Sequence, residues 1–289
     1  MIKTNKLKIG DLIVAFLCFL LILACLLPML NVLARSLSST EALIRNEVTL
    51  WPKGLNFDAY KMVLEDSKYT WSLVWTAIIT VIGTVLSMIM TTICAYPLIY
   101  DNLKGRRFIN ALIIFTMYFN AGTIPTYLLL KDLKLLNRPA VLVIPYCLSV
   151  FNMIIMRSFF FGIPDSLRES AEIDGAGPIR ILITIYLPLS TSVIATLSLF
   201  YAVGRWNGFS DALMFMNKRE YWPIQLLLYN ILNNITSIEV ATQEGFSKPG
   251  LSDSLKAATV MFATVPILLV YPWLQKYFIT GVTLGSIKG

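Results

Sequence analysis

The chain contains no histidine. That absence removes His-based triads, the usual zinc sites and any imidazole pH switch. Charge is scarce too: Asp, Glu, Lys and Arg make up 14% of the 289 residues, against 56% hydrophobic. A soluble domain carries roughly 25% charge, so an integral membrane protein is expected. Four cysteines, Cys18, Cys25, Cys94 and Cys147, lie in apolar runs and form no Cys-x-x-Cys pair. They read as packing residues, neither a disulfide framework nor metal ligands. No Gly-x4-Gly-Lys-[Ser/Thr] segment occurs, so the chain has no phosphate loop for nucleotide hydrolysis. The long uncharged runs hold no Asp or Glu for a proton relay, and no acid, base or metal cluster for a membrane enzyme. The net charge of +7 reads as Lys and Arg flanking membrane spans, with no nucleic-acid partner implied.

What remains is organised by six runs free of Asp, Glu, Lys and Arg: 12–34, 69–100, 108–130, 139–156, 181–204 and 257–275. Each is long enough to cross a bilayer, which takes about 17–25 residues. The expected fold class is therefore all-α, a polytopic membrane helical bundle with six transmembrane helices. The second run is longer than needed and is expected to tilt or to begin in an interfacial segment at Trp71 and Trp75. Prolines 28, 97, 125, 145 and 266 fall in or near these runs, where membrane helices tolerate kinks. A further uncharged stretch, 221–238, carries Gln225, Asn230, Asn233 and Asn234. So many amides argue against a lipid-facing helix, and the stretch is read as part of a long external loop. The apolar run continues past Cys25, which favours an uncleaved first span over a signal peptide. The cluster Lys104-Gly105-Arg106-Arg107 and the basic amino-terminal segment favour the inside of the membrane, placing the amino terminus there. Residues 57–64 are expected to form a short amphipathic helix.

One loop stands apart. Residues 163–188 read as a short helix, a glycine break and the start of a second helix. Pro164 suits a first helical position, Asp165 and Glu169 favour the amino-terminal end, and Gly175 suits a left-handed stop. Leu167, Ser170, Ala171 and Asp174 share one helix face. Taken alone, this is a capped surface helix. Spacing adds more: Glu169-Ser170-Ala171, three residues, Gly175, nine residues, then Ile185-x-Leu187-Pro188. This closely resembles the signature loop of the membrane permeases of bacterial ABC importers, Ser170 standing where Ala is usual. The tail, 275–281 followed by Gly285-Ser286-Ile287-Lys288-Gly289, looks like that of the six-span permease in maltose-type sugar importers. Within that family, residues 119–127 and 200–207 resemble the branch associated with lipo-oligosaccharide and acidic oligosaccharides, Ala121 departing from a commoner Gly.

The resemblance implies an ABC importer permease fold and a transport subunit, not an enzyme. Residues 1–68 are then the first span and an external segment. Residues 69–289 are a core of five spans, with a cytoplasmic coupling loop at 161–188 and an external loop at 205–256. The implied function is the permease of a binding-protein-dependent importer for sugars, oligosaccharides of the acidic, uronate type included. Implied partners are a second homologous permease chain, an ATPase subunit dimer holding ATP and Mg, an extracytoplasmic sugar-binding protein and membrane lipid. The chain itself carries no cofactor. The implied location is the bacterial cytoplasmic (inner) membrane, multi-pass, both termini cytoplasmic. Leu167, Glu169, Ser170, Ala171, Asp174 and Gly175 are the candidate ATPase-coupling residues. Ser286, Ile287, Lys288 and Gly289 are expected to contact the ATPase.

A sugar path needs flat apolar faces for pyranose rings and neutral hydrogen-bonding groups for hydroxyls. Tyr118, Asn120, Tyr127, Asn152, Tyr201, Trp206 and Asn207 are its candidates, although such amides also hold helices together at about 0.6 kcal/mol apiece. On residues alone, an ATP-independent channel or a secondary sugar carrier stays open as the alternative.

Overall fold

A computed structural model describes residues 9–119, 121–241 and 249–286. The described residues contain no β-strand. In chain order the α-helices are α1 (Ile9–Ser36), α2 (Thr40–Ile44), α3 (Asp58–Glu65), α4 (Ser67–Ala95), α5 (Arg106–Tyr118), α6 (Thr123–Asp132) and α7 (Val150–Phe161). Then come α8 (Asp165–Ile173), α9 (Pro178–Ile181), α10 (Leu187–Leu189), α11 (Thr191–Asn207), α12 (Ser210–Phe215), α13 (Ile224–Ala241) and α14 (Pro249–Ser286). The chain divides into two units, Met1–Thr70 with Leu228–Val265, and Trp71–Leu227 with Pro266–Gly289.

Among the described residues three helices are long and apolar enough to cross a membrane, at Gly10–Ser36, Ser67–Ile99 and Asp253–Val270. The other three expected spans are broken. Arg106–Tyr118 and Thr123–Asp132 meet at 115°, Pro139–Tyr146 and Val150–Phe161 at 48°, and Pro178–Leu189 and Thr191–Asn207 at 84°. Each break has a local cause. Gly122 holds φ +87, a value that side-chain-bearing residues adopt at a cost. Pro139 and Pro145 open two consecutive 3-10 turns, Pro139–Leu142 and Ile144–Tyr146. Ser149 then restarts the helix by capping it, its hydroxyl accepting from the Asn152 amide. Ahead of the third break, a π-helical turn at Leu182–Tyr186 leads into Leu187-Pro188-Leu189. Within the run 181–204 the straight part begins at Thr191, and its helix continues to Asn207.

The amide-rich stretch 221–238 is corrected. It is the helix α13, preceded by α12 and a 3-10 turn at Arg219–Tyr221, so most of the described part of 205–256 is helical. Pro164 also sits one place earlier than expected, as the residue before α8. The short helix expected at 57–64 is α3.

In the first unit the apolar side chains of α1 are nearly all exposed from Leu12 to Leu30, as lipid-facing or partner-facing residues would be. Its last turn is fixed by polar contacts. Arg35 Nη2 reaches Asp253 Oδ2 at 2.8 Å, and Ser36 Oγ lies 2.8 Å from Tyr60 Oη. Ala59 and Val63 of α3 pack with Ala258 of α14.

In the second unit α4 has two unlike sides. Ser72, Thr76, Thr80, Ser87 and Thr91 are buried, while Val74, Ile78, Val81, Ile82, Val85, Ile89 and Ile93 are exposed. Small residues let neighbouring helices come close in a membrane, and the branched apolar side suits lipid. At its start Trp71 and Trp75 donate their indole N–H to the carbonyls of Glu220 and Tyr221, both at 2.8 Å. Thr76 Oγ1 accepts from the Ile224 amide at 2.8 Å, serving one of the orphan donors at the start of α13. Two apolar clusters lie at opposite ends of α4. One joins Ile79 to Val141, Leu142, Ala212, Phe215 and Leu226. The other joins Met88, Ala95 and Tyr96 to Met153, Met156, Phe160, Tyr186, Val193 and Leu197.

Candidate functional site

Between those clusters α4, α7 and α11 enclose an open cavity of about 490 Å³. Its walls are polar and aromatic in alternation, with Ser87 on α4, Asn152 on α7, Phe200 and Tyr201 on α11, and Tyr146 on the 3-10 turn. Asn152 is 5% exposed, and its side-chain amide has no hydrogen-bond partner among the described residues. A costly group of that kind is tolerated where it meets water or a ligand. Tyr201 Oη, by contrast, is engaged: it lies 2.7 Å from Thr91 Oγ1 and accepts from the Ser149 amide at 3.0 Å. It fastens α11 to α4 and to the start of α7 while its ring faces the cavity.

Arg205 closes one end. Its guanidinium donates to the Leu142 carbonyl, pairs with Asp211 at 2.6 Å and lies over the Tyr146 ring at 5.4 Å. The side chains of the pair are only 14% and 6% exposed. Gly208 keeps the space open, since a Cβ there would sit 2.8 Å from Arg205 Nη2. Sequence reasoning missed this pair and Tyr146. The available signal was an arginine ending an apolar run with an aspartate six residues on.

Of the sequence-predicted path residues, only Asn152 and Tyr201 line the cavity. Tyr118 ends α5 and is 81% exposed. Tyr127 packs its ring 6.2 Å from Phe215. Trp206 and Asn207 end α11, beyond the cavity wall. Asn120 lies outside the described residues.

The second candidate element is α8. Its nine residues include no buried side chain. Leu167, Glu169, Ser170 and Asp174 are exposed, and Ala171 alone of the expected face packs partly on the apolar cluster of its own chain. The shared face is therefore partly covered by its own chain at Ala171. Arg168 anchors the helix from the inner side, its guanidinium 5.2 Å over the Tyr100 ring and bonded to Asp165 at 3.1 Å and Glu172 at 3.2 Å. Partial burial works to lower the Arg168 pKa. The Asp165 hydrogen bond and the charges of Glu172 and Asp165 outweigh it and hold the pKa above its ordinary value. Gly175 has φ +79 with open space where a Cβ would stand, which is the left-handed stop expected. Ile173, 86% exposed, is an apolar side chain aimed outward that the sequence reading passed over. Of the tail residues, Ser286 ends α14, while Ile287, Lys288 and Gly289 lie outside the described residues.

The family model of the binding-protein-dependent transport system inner membrane component matches residues 12–283. The chain belongs to this family. The permease is 39% identical to the polygalacturonan/rhamnogalacturonan transport system permease protein YtcP of Bacillus subtilis, over 98% of this chain and 100% of that one. It is 41% identical to the protein LplC of the same organism, over 91% of this chain and 90% of the other. Its fold matches a chain in the crystal structure of a bacterial ABC transporter involved in the import of the acidic polysaccharide alginate. There the TM-score is 0.86 at 32% identity, covering 95% of this permease and 100% of that chain. The permease is thus a multi-pass inner-membrane transport subunit and not an enzyme. The alternative left open by its residues, a channel or secondary carrier, falls with the family.

Proposed function

We propose that this permease forms one half of the pore of an importer for acidic, uronate-type oligosaccharides, paired with a second homologous permease chain. In this reading an ATPase dimer holds ATP and Mg, an extracytoplasmic protein delivers the sugar, and both termini and α8 face the cytoplasm. The observation that carries the coupling role is α8 itself: a helix stopped by Gly175, with no buried residue, presenting Glu169 and Ile173 outward. A membrane protein that cannot hydrolyse ATP needs a place to receive an ATPase, and this helix has the exposure and the apolar knob for it. The substrate class is supported by the uronate polymers named for relatives that match over nearly the whole chain. Asn152, Tyr201, Tyr146 and Phe200 fit such a sugar, with stacking faces, an amide and few fixed charges. Tyr118, Asn120, Tyr127, Trp206 and Asn207 stay candidates for stretches of the path outside this cavity, and Ser286–Gly289 for an ATPase contact.

The test is reconstitution of the permease with its partner permease, ATPase and binding protein in lipid nanodiscs. ATP hydrolysis should rise with oligogalacturonate or oligoalginate and stay basal with neutral oligosaccharides of equal length. Stimulation by neutral sugars alone would overturn the substrate class. Failure of any ATPase to copurify would overturn the coupling reading.

A further inference from the structure

A second polar hollow lies away from the sugar cavity, where the start of α5 meets the end of α7. About 660 Å³ in volume, it is lined by Asp101, Arg106, Arg107, Asn110 and Arg157 among others. A neighbouring recess of about 340 Å³ shares Arg106 and Arg157 and adds Ile154, Ser158 and Phe161. Three guanidinium groups therefore converge on one place against a single carboxylate. That carboxylate is already used, because Asp101 pairs with Arg106. Neither Arg107 nor Arg157 has an ion pair or hydrogen bond among the described residues. Arg157 Nε is buried and unpartnered. An unpaired buried guanidinium donor is costly, and here it stands beside two like charges. The excess of positive charge favours binding of an anion.

The anion's chemistry can be read further. The start of α5 adds the backbone N–H groups of Arg107 and Phe108, since Gly105 precedes it without a side-chain cap and only the Arg106 amide is taken, by the Leu103 carbonyl, and such ends favour phosphate oxygens. Beside the charges the surface becomes apolar. Phe161 is 58% exposed, and on the face of α5 that runs from Arg107, at i+4 and i+7, Ala111 and Ile114 are exposed too, Ile114 to 44%. The charges thus stand at the end of an apolar helix face, as a headgroup stands at the end of its acyl chains. Basic pockets between membrane helices bind anionic lipid headgroups on this plan.

We infer that Arg106, Arg107 and Arg157 hold the phosphate of one anionic phospholipid, with its acyl chains against Phe161 and the Ala111–Ile114 face of α5. The site lies beside Gly162, just before α8, so the lipid would brace the segment from which that helix projects. This inference does not depend on which sugar is carried.

The experiment is native mass spectrometry of the full importer, released from micelles doped with phosphatidylglycerol or, separately, phosphatidylcholine. The intact protein should retain one phosphatidylglycerol in preference to phosphatidylcholine. Arg107→Gln and Arg157→Gln should each weaken that retention about fivefold, while Arg45→Gln, on an exposed arginine of the other unit, should leave it unchanged. Arg107 is exposed, so its variant remains informative if Arg157→Gln does not fold. Equal retention of the two lipids, or no loss in either variant, overturns the site. Displacement of the lipid by millimolar inorganic phosphate or glycerol phosphate makes it a soluble-anion site and overturns the lipid assignment. So does a crosslink from Arg157→Cys to an acidic segment of a partner subunit with no lipid retained.

Discussion

Replacing Asp211 with alanine strips a buried guanidinium of its carboxylate. The pair is 2.6 Å long with side chains 14% and 6% exposed, so water screens it little and cannot take the place of the lost partner. Breaking such a pair from one side costs about 3–5 kcal/mol. Arg205 keeps the Leu142 carbonyl and the Tyr146 ring, which argues for the lower end, about 3 kcal/mol, or near 150-fold in the ratio of folded to unfolded protein. Asp211→Asn keeps an acceptor and loses only charge assistance, for an expected cost of about 1–2 kcal/mol. The joint change Arg205→Met with Asp211→Leu removes both charges and should lie close to wild type. The assay is equilibrium unfolding of the purified permease in mixed micelles, titrated with dodecyl sulfate and followed by tryptophan fluorescence. The reasoning fails if Asp211→Ala lies within about 0.5 kcal/mol of wild type, the range of an ordinary surface change. It fails equally if the double variant costs the sum of the two single ones, because the charges would then not be coupled.

Glu169→Lys should leave the folded amount in the membrane unchanged, the residue being exposed, while lowering sugar-stimulated ATP hydrolysis at least about tenfold, one lost cross-subunit contact of about 1.4 kcal/mol; undiminished stimulation would remove the coupling role. Gly175→Ala meets no atom but keeps φ +79, so it should cost only about 1 kcal/mol locally, whereas Gly175→Pro cannot adopt that angle and should uncouple hydrolysis from transport. Tyr201→Phe loses bonds to Thr91 and Ser149 and should destabilise by about 1–3 kcal/mol, while Asn152→Ala should spare stability and raise the KM for sugar uptake. Unaltered kinetics in Asn152→Ala would move the path elsewhere. Deleting 286–289 should reduce transport at constant expression, and wild-type uptake would make the tail a frayed terminus.

The membrane class, the approximate limits of the apolar runs and the helix–glycine–helix plan of 163–188 were legible because each rests on local composition. Apolar runs report burial in lipid but carry no information on straightness. Breaks at Gly122, at Pro145–Ser149 and at Ser190 therefore went unread, although proline and glycine marked two of them. The amides of 221–238 argue only against a lipid-facing helix, and that reading carries no information on a helix with other surroundings. In α13 Asn230 and Asn233 have partners, so the expense is met. Tyr201 was singled out for the path by its chemistry, yet its hydroxyl serves a helix junction, and only its three-dimensional neighbours reveal that. Arg205 was read as the start of an external loop; its partners lie six residues ahead and 63 residues behind, and the second separation has no local signature.

The aromatic knot beneath α8 bears on how force moves through the molecule. Tyr96 sits edge-on to Tyr100, Phe160 and Tyr186, with ring centres 5.2–6.3 Å apart, and its hydroxyl donates to the Pro178 carbonyl at 3.1 Å. Those rings belong to the turn after α4, the end of α7 and the π-helical turn before α11. Close-packed rings resist compression and shear, so a push on α8 does not travel down one neighbouring rod. In the proposed coupling it is divided at once among three, and the longest of them, α4, is a wall of the cavity lined by Asn152 and Tyr201. Loosening the knot, by contrast with cutting any single rod, would leave each helix intact and the lever without a fulcrum.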